Sequence, residues 1–71
     1  MRATDVHGRP VELTKIAGED CDEDDCAAVS LTDRGTAAVQ GYTLHADTPA
    51  GEGVLELPVE VLLEAARALR R

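Results

Sequence analysis

The chain has 71 residues, of which 44% are hydrophobic, a formal net charge of -7 and a single aromatic residue, Tyr42. A chain of this length forms one domain, residues 1–71, and its alanine-rich apolar content predicts a thin core that self-association or a partner protein would stabilise. The sequence has no apolar run of about 18 residues and few clustered Lys or Arg residues, which predicts a cytoplasmic protein with no membrane association and no direct nucleic-acid binding.

The first predicted strand covers residues 11–16, which are rich in β-branched side chains and follow Pro10. Lys15 interrupts the alternation, so we expect this strand at an edge of the sheet. An acidic loop, residues 18–26, follows, and mutual repulsion of its carboxylates predicts a solvated segment. Its acidic side chains are the candidate partner-binding residues: Glu19, Asp20, Asp22, Glu23, Asp24 and Asp25.

The clearest local pattern predicts a central hairpin over residues 27–44. Alternating apolar residues lead into turn residues at 33–35, and the glycine there suits the left-handed position of a three-residue turn. That register places Val29 opposite Val39 on one face of the sheet. We interpret Gly41 as a bulge through which the second strand continues.

The C-terminal third predicts a flexible loop over residues 45–53, a short strand over 54–57 and a helix over 58–70, with Pro58 at its first position. The predicted fold is therefore α+β, a small antiparallel sheet of three to four strands covered by one C-terminal helix. We expect one apolar stripe of the helix to cover the sheet. That stripe consists of Val59, Leu62, Leu63, Ala66 and Leu69.

Cys21 and Cys26 are the candidate metal or disulfide residues. Their spacing lies at the long end for zinc ligands, and His7 and His45 would complete a four-ligand set. A disulfide and two unmodified thiols are the other interpretations. Neighbouring carboxylates should keep both thiols protonated, so no catalytic cysteine is expected, and no other pattern indicates an enzyme or a cofactor apart from zinc.

Several motifs together resemble a small uncharacterised actinobacterial protein family. They are the cysteine-containing acidic loop, the segment 26–29, the turn over residues 32–36, the segment 39–42 and the terminal segment 57–66. The order of cysteine, hairpin, loop, strand and helix is also distantly similar to the domain of unknown function encoded beside WhiJ-like helix-turn-helix regulators. This resemblance implies a regulatory accessory or antitoxin-like protein that binds a helix-turn-helix partner and carries no catalytic residues.

The sequence thus predicts a small non-enzymatic regulatory or protein-interaction module. Its expected partner is a basic regulator, because an acidic loop complements a basic surface, or a second copy of the chain, because the core is thin. The alternative is a metal (zinc) or redox module that uses Cys21 and Cys26.

Overall fold

The computed structural model describes residues 2–18 and 26–70. Four strands form an antiparallel sheet in the order β1-β2-β3-β4: Arg2–Thr4 (β1), Pro10–Gly18 (β2), Ala28–Thr32 (β3) and Ala37–Gln40 (β4). Two further strands, Tyr42–Leu44 (β5) and Val54–Glu56 (β6), pair antiparallel in a second sheet, and helix α1 covers Val59–Leu69. The predicted α+β fold with one C-terminal helix is confirmed.

Strand β2 lies in the interior of the sheet, so the predicted edge position is wrong. Strand β1, which the sequence pattern does not predict, pairs with it on one side and β3 pairs with it on the other. The register with β3 shifts between Lys15 and Ala17. The interrupted alternation at Lys15 therefore marks a β-bulge, in which an extra residue changes which side chains face the core.

Asp5 joins two turns at one end of the four-stranded sheet. Its carboxylate accepts hydrogen bonds from the backbone N–H groups of His7 and Arg9, each at 2.9 Å. It also pairs with the guanidinium groups of Arg9 and Arg34, again at 2.9 Å each. The Arg9 N–H is the main cause that lowers the pKa of Asp5; the His7 N–H and both guanidinium groups also lower it, while burial opposes the shift.

The β3–β4 hairpin has the register that the sequence predicts. Val29 lies opposite Val39, and the Thr32 N–H donates to the Thr36 carbonyl oxygen at 2.8 Å. Gly35 has a φ of 75°, which lies in the left-handed region that favours glycine. The turn chemistry and the apolar pattern specify the same pairing, and the three-residue turn is confirmed.

The hairpin ends earlier than predicted. Strand β4 stops at Gln40, and residues 42–44 pair with β6 instead of continuing along β3, so residues 27–44 do not form one hairpin. A Cβ atom on Gly41 would lie 2.5 Å from the carbonyl oxygen of Glu56. Gly41 therefore permits a close approach of two backbone segments where the chain passes between the sheets.

Helix α1 packs on the sheet through a different face from the predicted one. Val61 and Ala65 are buried and form a cluster with Ala17 of β2 and Val29 of β3. Pro58 is the N-cap residue, one position before the helix begins. All but three of the 11 helical residues are apolar, so more than one stripe has helical spacing, and the sequence pattern alone selected the wrong one.

The buried core of the described residues is small. Its hydrophobic members are three valines and three alanines: Val11, Ala17, Ala27, Val29, Val61 and Ala65. Valine and alanine remove little apolar surface from water, and burial stabilises a fold by about 25 cal/mol per Å². The molecule therefore depends on a few contacts between α1 and the sheet.

The loop over residues 45–53 contains a hydrogen-bonded turn. The Glu52 N–H donates to the Pro49 carbonyl oxygen at 3.1 Å, and the Thr48 hydroxyl donates to the Glu52 carbonyl oxygen at 3.0 Å. The flexibility expected for this loop stays a prediction.

Candidate functional site

The acidic partner-binding candidates and the first cysteine lie outside the described residues. They are Glu19, Asp20, Cys21, Asp22, Glu23, Asp24 and Asp25. Of the predicted acidic loop, the two ends are described: Gly18 closes β2, and Cys26 lies two residues before β3. A role for the acidic loop in partner binding stays a prediction.

Cys26 is half-buried and disulfide-bonded. Its carbonyl oxygen accepts a hydrogen bond from the side-chain amide of Gln40 at 3.1 Å, which fixes the start of β3 to the end of β4. A disulfide sulfur offers no thiolate, so Cys26 is not a zinc ligand in this oxidised state. Cys21 is the only other cysteine in the sequence.

The two histidines of the predicted zinc set are both exposed. His7 lies in the turn between β1 and β2, and His45 follows β5. Within residues 2–18 and 26–70, no group of three or more His, Cys, Asp or Glu side chains could hold a metal ion. The zinc site, which also needs Cys21, stays a prediction.

The most distinctive surface of the described structure is one exposed apolar face of α1. Val59 is 64% exposed, Leu62 50%, Leu63 49% and Leu69 57%, and Ala66 is exposed as well. With 3.6 residues per turn, these side chains fall on one side of the helix. We call the surface formed by these five residues the outer face.

The rotation of α1 is fixed by contacts on its inner side. Val61 and Ala65 lie against the sheet, and the carboxylate of Glu64 accepts a hydrogen bond from the backbone N–H of Gly18 at 3.2 Å. Turning the helix to bury Leu62 and Leu63 would break these contacts. The exposure of the outer face is thus a consequence of tertiary packing.

A groove of about 370 Å³ continues the apolar surface beyond the start of the helix. It is lined by Tyr42, Glu56, Leu57, Pro58 and Val59. Val59 belongs both to this groove and to the outer face, so the two surfaces are continuous. The groove joins helix α1 to the β5–β6 pair.

Charged residues flank the outer face along one side of the helix. Glu60 lies in the first turn and Arg67 in the last, which suits the partial charges at the two helix ends. Both are exposed, and none of the ion pairs found in the described ranges involves α1. The outer face therefore has a negative group at one end of its rim and a positive group at the other.

Sequence reasoning identified the residues of the outer face but assigned them to the core. The signal that indicates a surface role is the apolar character of nearly the whole helix, because a helix that is apolar on most sides needs cover on more than one side. The sheet of this small protein covers one side. The other side is the candidate interaction surface.

No protein-family model, curated protein or solved structure matches the chain. The resemblance to the actinobacterial family stays a prediction. Within the described ranges there is no helix with the length and apolar character needed to cross a membrane.

Proposed function

We propose that this protein is a non-enzymatic protein-interaction module that acts in regulation, and that the outer face of α1 is its docking surface. The observation that carries this proposal is the exposure of about half or more of Val59, Leu62, Leu63 and Leu69 on one side of one helix. Contiguous apolar patches rimmed by polar residues are typical of interaction sites. Covering such side chains releases free energy at about 25 cal/mol per Å².

The acidic segment over residues 19–25 gives the module a preference for basic partners. The segment carries six of the chain's 14 acidic residues, and such a concentration of charge accelerates encounters with a positive surface. A cytoplasmic helix-turn-helix regulator has the required basic surface. In this proposal the acidic segment attracts the partner, and apolar contacts stabilise the complex.

The test is native mass spectrometry of the tagged chain isolated gently from its own kind of host cell. We expect a basic protein to copurify. Changing Asp22, Asp24 and Asp25 to Asn should weaken that complex and reduce its sensitivity to salt, because fewer charges are screened. A complex whose affinity and salt dependence are unchanged in this variant would contradict the electrostatic part of the proposal.

A matched pair of substitutions tests the docking surface in the same experiment. Leu63→Glu places a charge in the middle of the outer face, and Leu55→Glu places the same charge on β6, where the leucine is 41% exposed. We expect the first variant to lose the copurifying protein and the second to keep it. Equal recovery with both variants would remove the outer face from the proposal.

The second candidate function is a redox module that uses Cys21 and Cys26, and the observation that favours it is the disulfide at Cys26. Two thiols would release two protons and two electrons to a disulfide oxidant, and thiol–disulfide exchange would reverse the step. A disulfide in the reducing cytosol is usually transient and regulatory. This candidate would make the acidic loop sensitive to oxidation.

Mass spectrometry after rapid acid quenching of oxidant-treated cells tests this candidate. The oxidised chain should be lighter than the reduced chain by the mass of two hydrogen atoms, and Cys21→Ser should abolish the difference. A chain that stays fully reduced after oxidant treatment refutes the redox candidate. Zinc retained by the reduced chain would favour the metal form of the same module.

A further inference from the structure

We infer that the outer face of α1 pairs with the outer face of a second copy of this chain, as two antiparallel helices related by a twofold axis. The inference rests on the proposed function, because it uses the same docking surface, and it names the occupant of that surface. Three features of the structure support it: the exposed apolar side chains of the outer face, the charge pattern of the helix and the small core.

The outer face presents exposed apolar side chains to a second copy. Val59 is 64% exposed, Leu62 50%, Leu63 49% and Leu69 57%. Because a twofold axis places the same face on both partners, these side chains would be covered on each copy of the pair. Covering them releases free energy at about 25 cal/mol per Å².

The charges beside the outer face complement each other under a twofold axis. Glu60 and Arg67 are separated by seven residues, or about 10 Å along a helix that rises 1.5 Å per residue. Their separation is too large for a direct ion pair within one helix. In an antiparallel pair centred between Leu63 and Glu64, each Glu60 lies beside Arg67 of the second copy.

The centre required by these charges is also the centre of the apolar surface. The outer face extends from Val59 to Leu69, and its midpoint lies next to Leu63. An antiparallel arrangement therefore aligns the apolar residues and the opposite charges in the same register. The face therefore carries one charge of each sign beside it, and a second copy in the antiparallel arrangement complements both.

The small core supplies the thermodynamic reason for pairing. No described side chain is both large and fully buried, so the isolated fold gains little from apolar burial. A second copy would add leucine contacts on the side of α1 that faces away from the sheet. Small domains with insufficient cores commonly gain stability through association.

Sedimentation equilibrium of the purified full chain at about 0.15 M ionic strength tests the inference, since charge repulsion beyond about 8 Å is then screened. We expect the wild-type chain to have twice its monomer mass. Leu63→Glu should raise the dimer Kd about 100-fold, because two charges would be buried at the twofold axis. Leu55→Glu changes a similarly exposed leucine on β6, and this variant should sediment as a dimer like the wild type. Circular dichroism should show folded protein for both variants.

Charge reversal tests the antiparallel geometry. Glu60→Arg or Arg67→Glu alone would replace two symmetric attractions with repulsions and should raise Kd roughly 2- to 30-fold. An equimolar mixture of the two single variants should restore the affinity, because two arginines on one copy then face two glutamates on the other. Failure of the mixture to associate more tightly than either variant alone would overturn the antiparallel register.

The outcomes separate this inference from the proposed function. A wild-type chain that stays monomeric at all concentrations overturns the dimer, and the proposed function survives if Leu63→Glu still releases a copurifying basic protein. A dimer that Leu63→Glu leaves intact also overturns the inference. A dimer dissociated by Leu63→Glu, with no basic protein copurifying from cells, supports the pairing and refutes the proposed regulatory partner.

Discussion

Substituting the two valines at opposite sides of α1 is a direct test of how the helix is oriented. Val61 is 4% exposed and Val59 is 64% exposed, and both lie in the first turn of the same helix. Val→Ala at either position makes the same chemical change and brings a similar gain in helix propensity of about 0.5 kcal/mol. The difference between the free energies of unfolding of the two variants therefore measures the effect of burial alone.

The expected effect at Val61 follows from the loss of two buried CH₂ equivalents. Their transfer contributes about 1.6 kcal/mol at about 0.8 kcal/mol each, and the unfilled volume adds about 1 kcal/mol. After subtraction of the propensity gain of about 0.5 kcal/mol, Val61→Ala should destabilise the fold by about 2 kcal/mol. Val59→Ala should change stability by no more than about 0.5 kcal/mol.

Urea and thermal unfolding followed by circular dichroism measure both values, at protein concentrations low enough for the chain to be monomeric. A loss of about 2 kcal/mol lowers Tm by about 8–16 °C in a domain of this size, whereas Tm of the Val59→Ala variant should stay near that of the wild type. A larger loss of stability at Val59 than at Val61 would show that the predicted stripe faces the sheet, and equal losses would show that both sides of the helix are covered. Either result would refute the outer face and the proposals built on it.

Two further predictions concern the turns and the passage between the sheets. The pKa of Asp5 in the folded chain lies below its ordinary value of 3.8. The ionised carboxylate therefore contributes its full stabilisation above pH 3.8, and this contribution is lost as the pH falls through the lower pKa of the folded state. Asp5→Asn should accordingly flatten the pH dependence of the urea midpoint below pH 3.8. Gly41→Ala should destabilise the fold by about 1–3 kcal/mol, because the added Cβ meets the Glu56 carbonyl oxygen. Gly53→Ala is the matched control, since its Cβ would meet no atom within 4 Å. A Gly41→Ala variant as stable as this control would contradict the close approach.

The sequence was most informative where the chain's local chemistry and its apolar pattern agree. The hairpin register follows from the glycine at 35 and the alternation on both sides of it, because a one-residue slip would turn every side chain to the other face. The helix and the short strand before it also follow from local signals. Strand β1 was missed because three exposed residues carry no inward-facing pattern, and its pairing with β2 is a contact between separate segments.

The candidate site illustrates the opposite case. Sequence spacing selected Val59, Leu62, Leu63, Ala66 and Leu69 as one stripe, and the structure places these residues together on one face. Whether that face looks inward or outward depends on the rotation of α1 about its axis. The apolar residues Val61 and Ala65 form an equally regular inner stripe, so helical periodicity could not decide between the two.

The amino-acid sequence by itself therefore determined the α+β class, the hairpin turn and the positions of the C-terminal strand and helix, because each depends on interactions between residues close together in the chain. The tertiary structure alone decided which side of α1 is covered, that the chain leaves the first sheet after β4 and that β2 is an interior strand. Those features depend on the fit between distant segments: small residues on the sheet accommodate Val61 and Ala65, and Gly18 meets Glu64. The leucines on the outer side of α1 were left exposed by that fit.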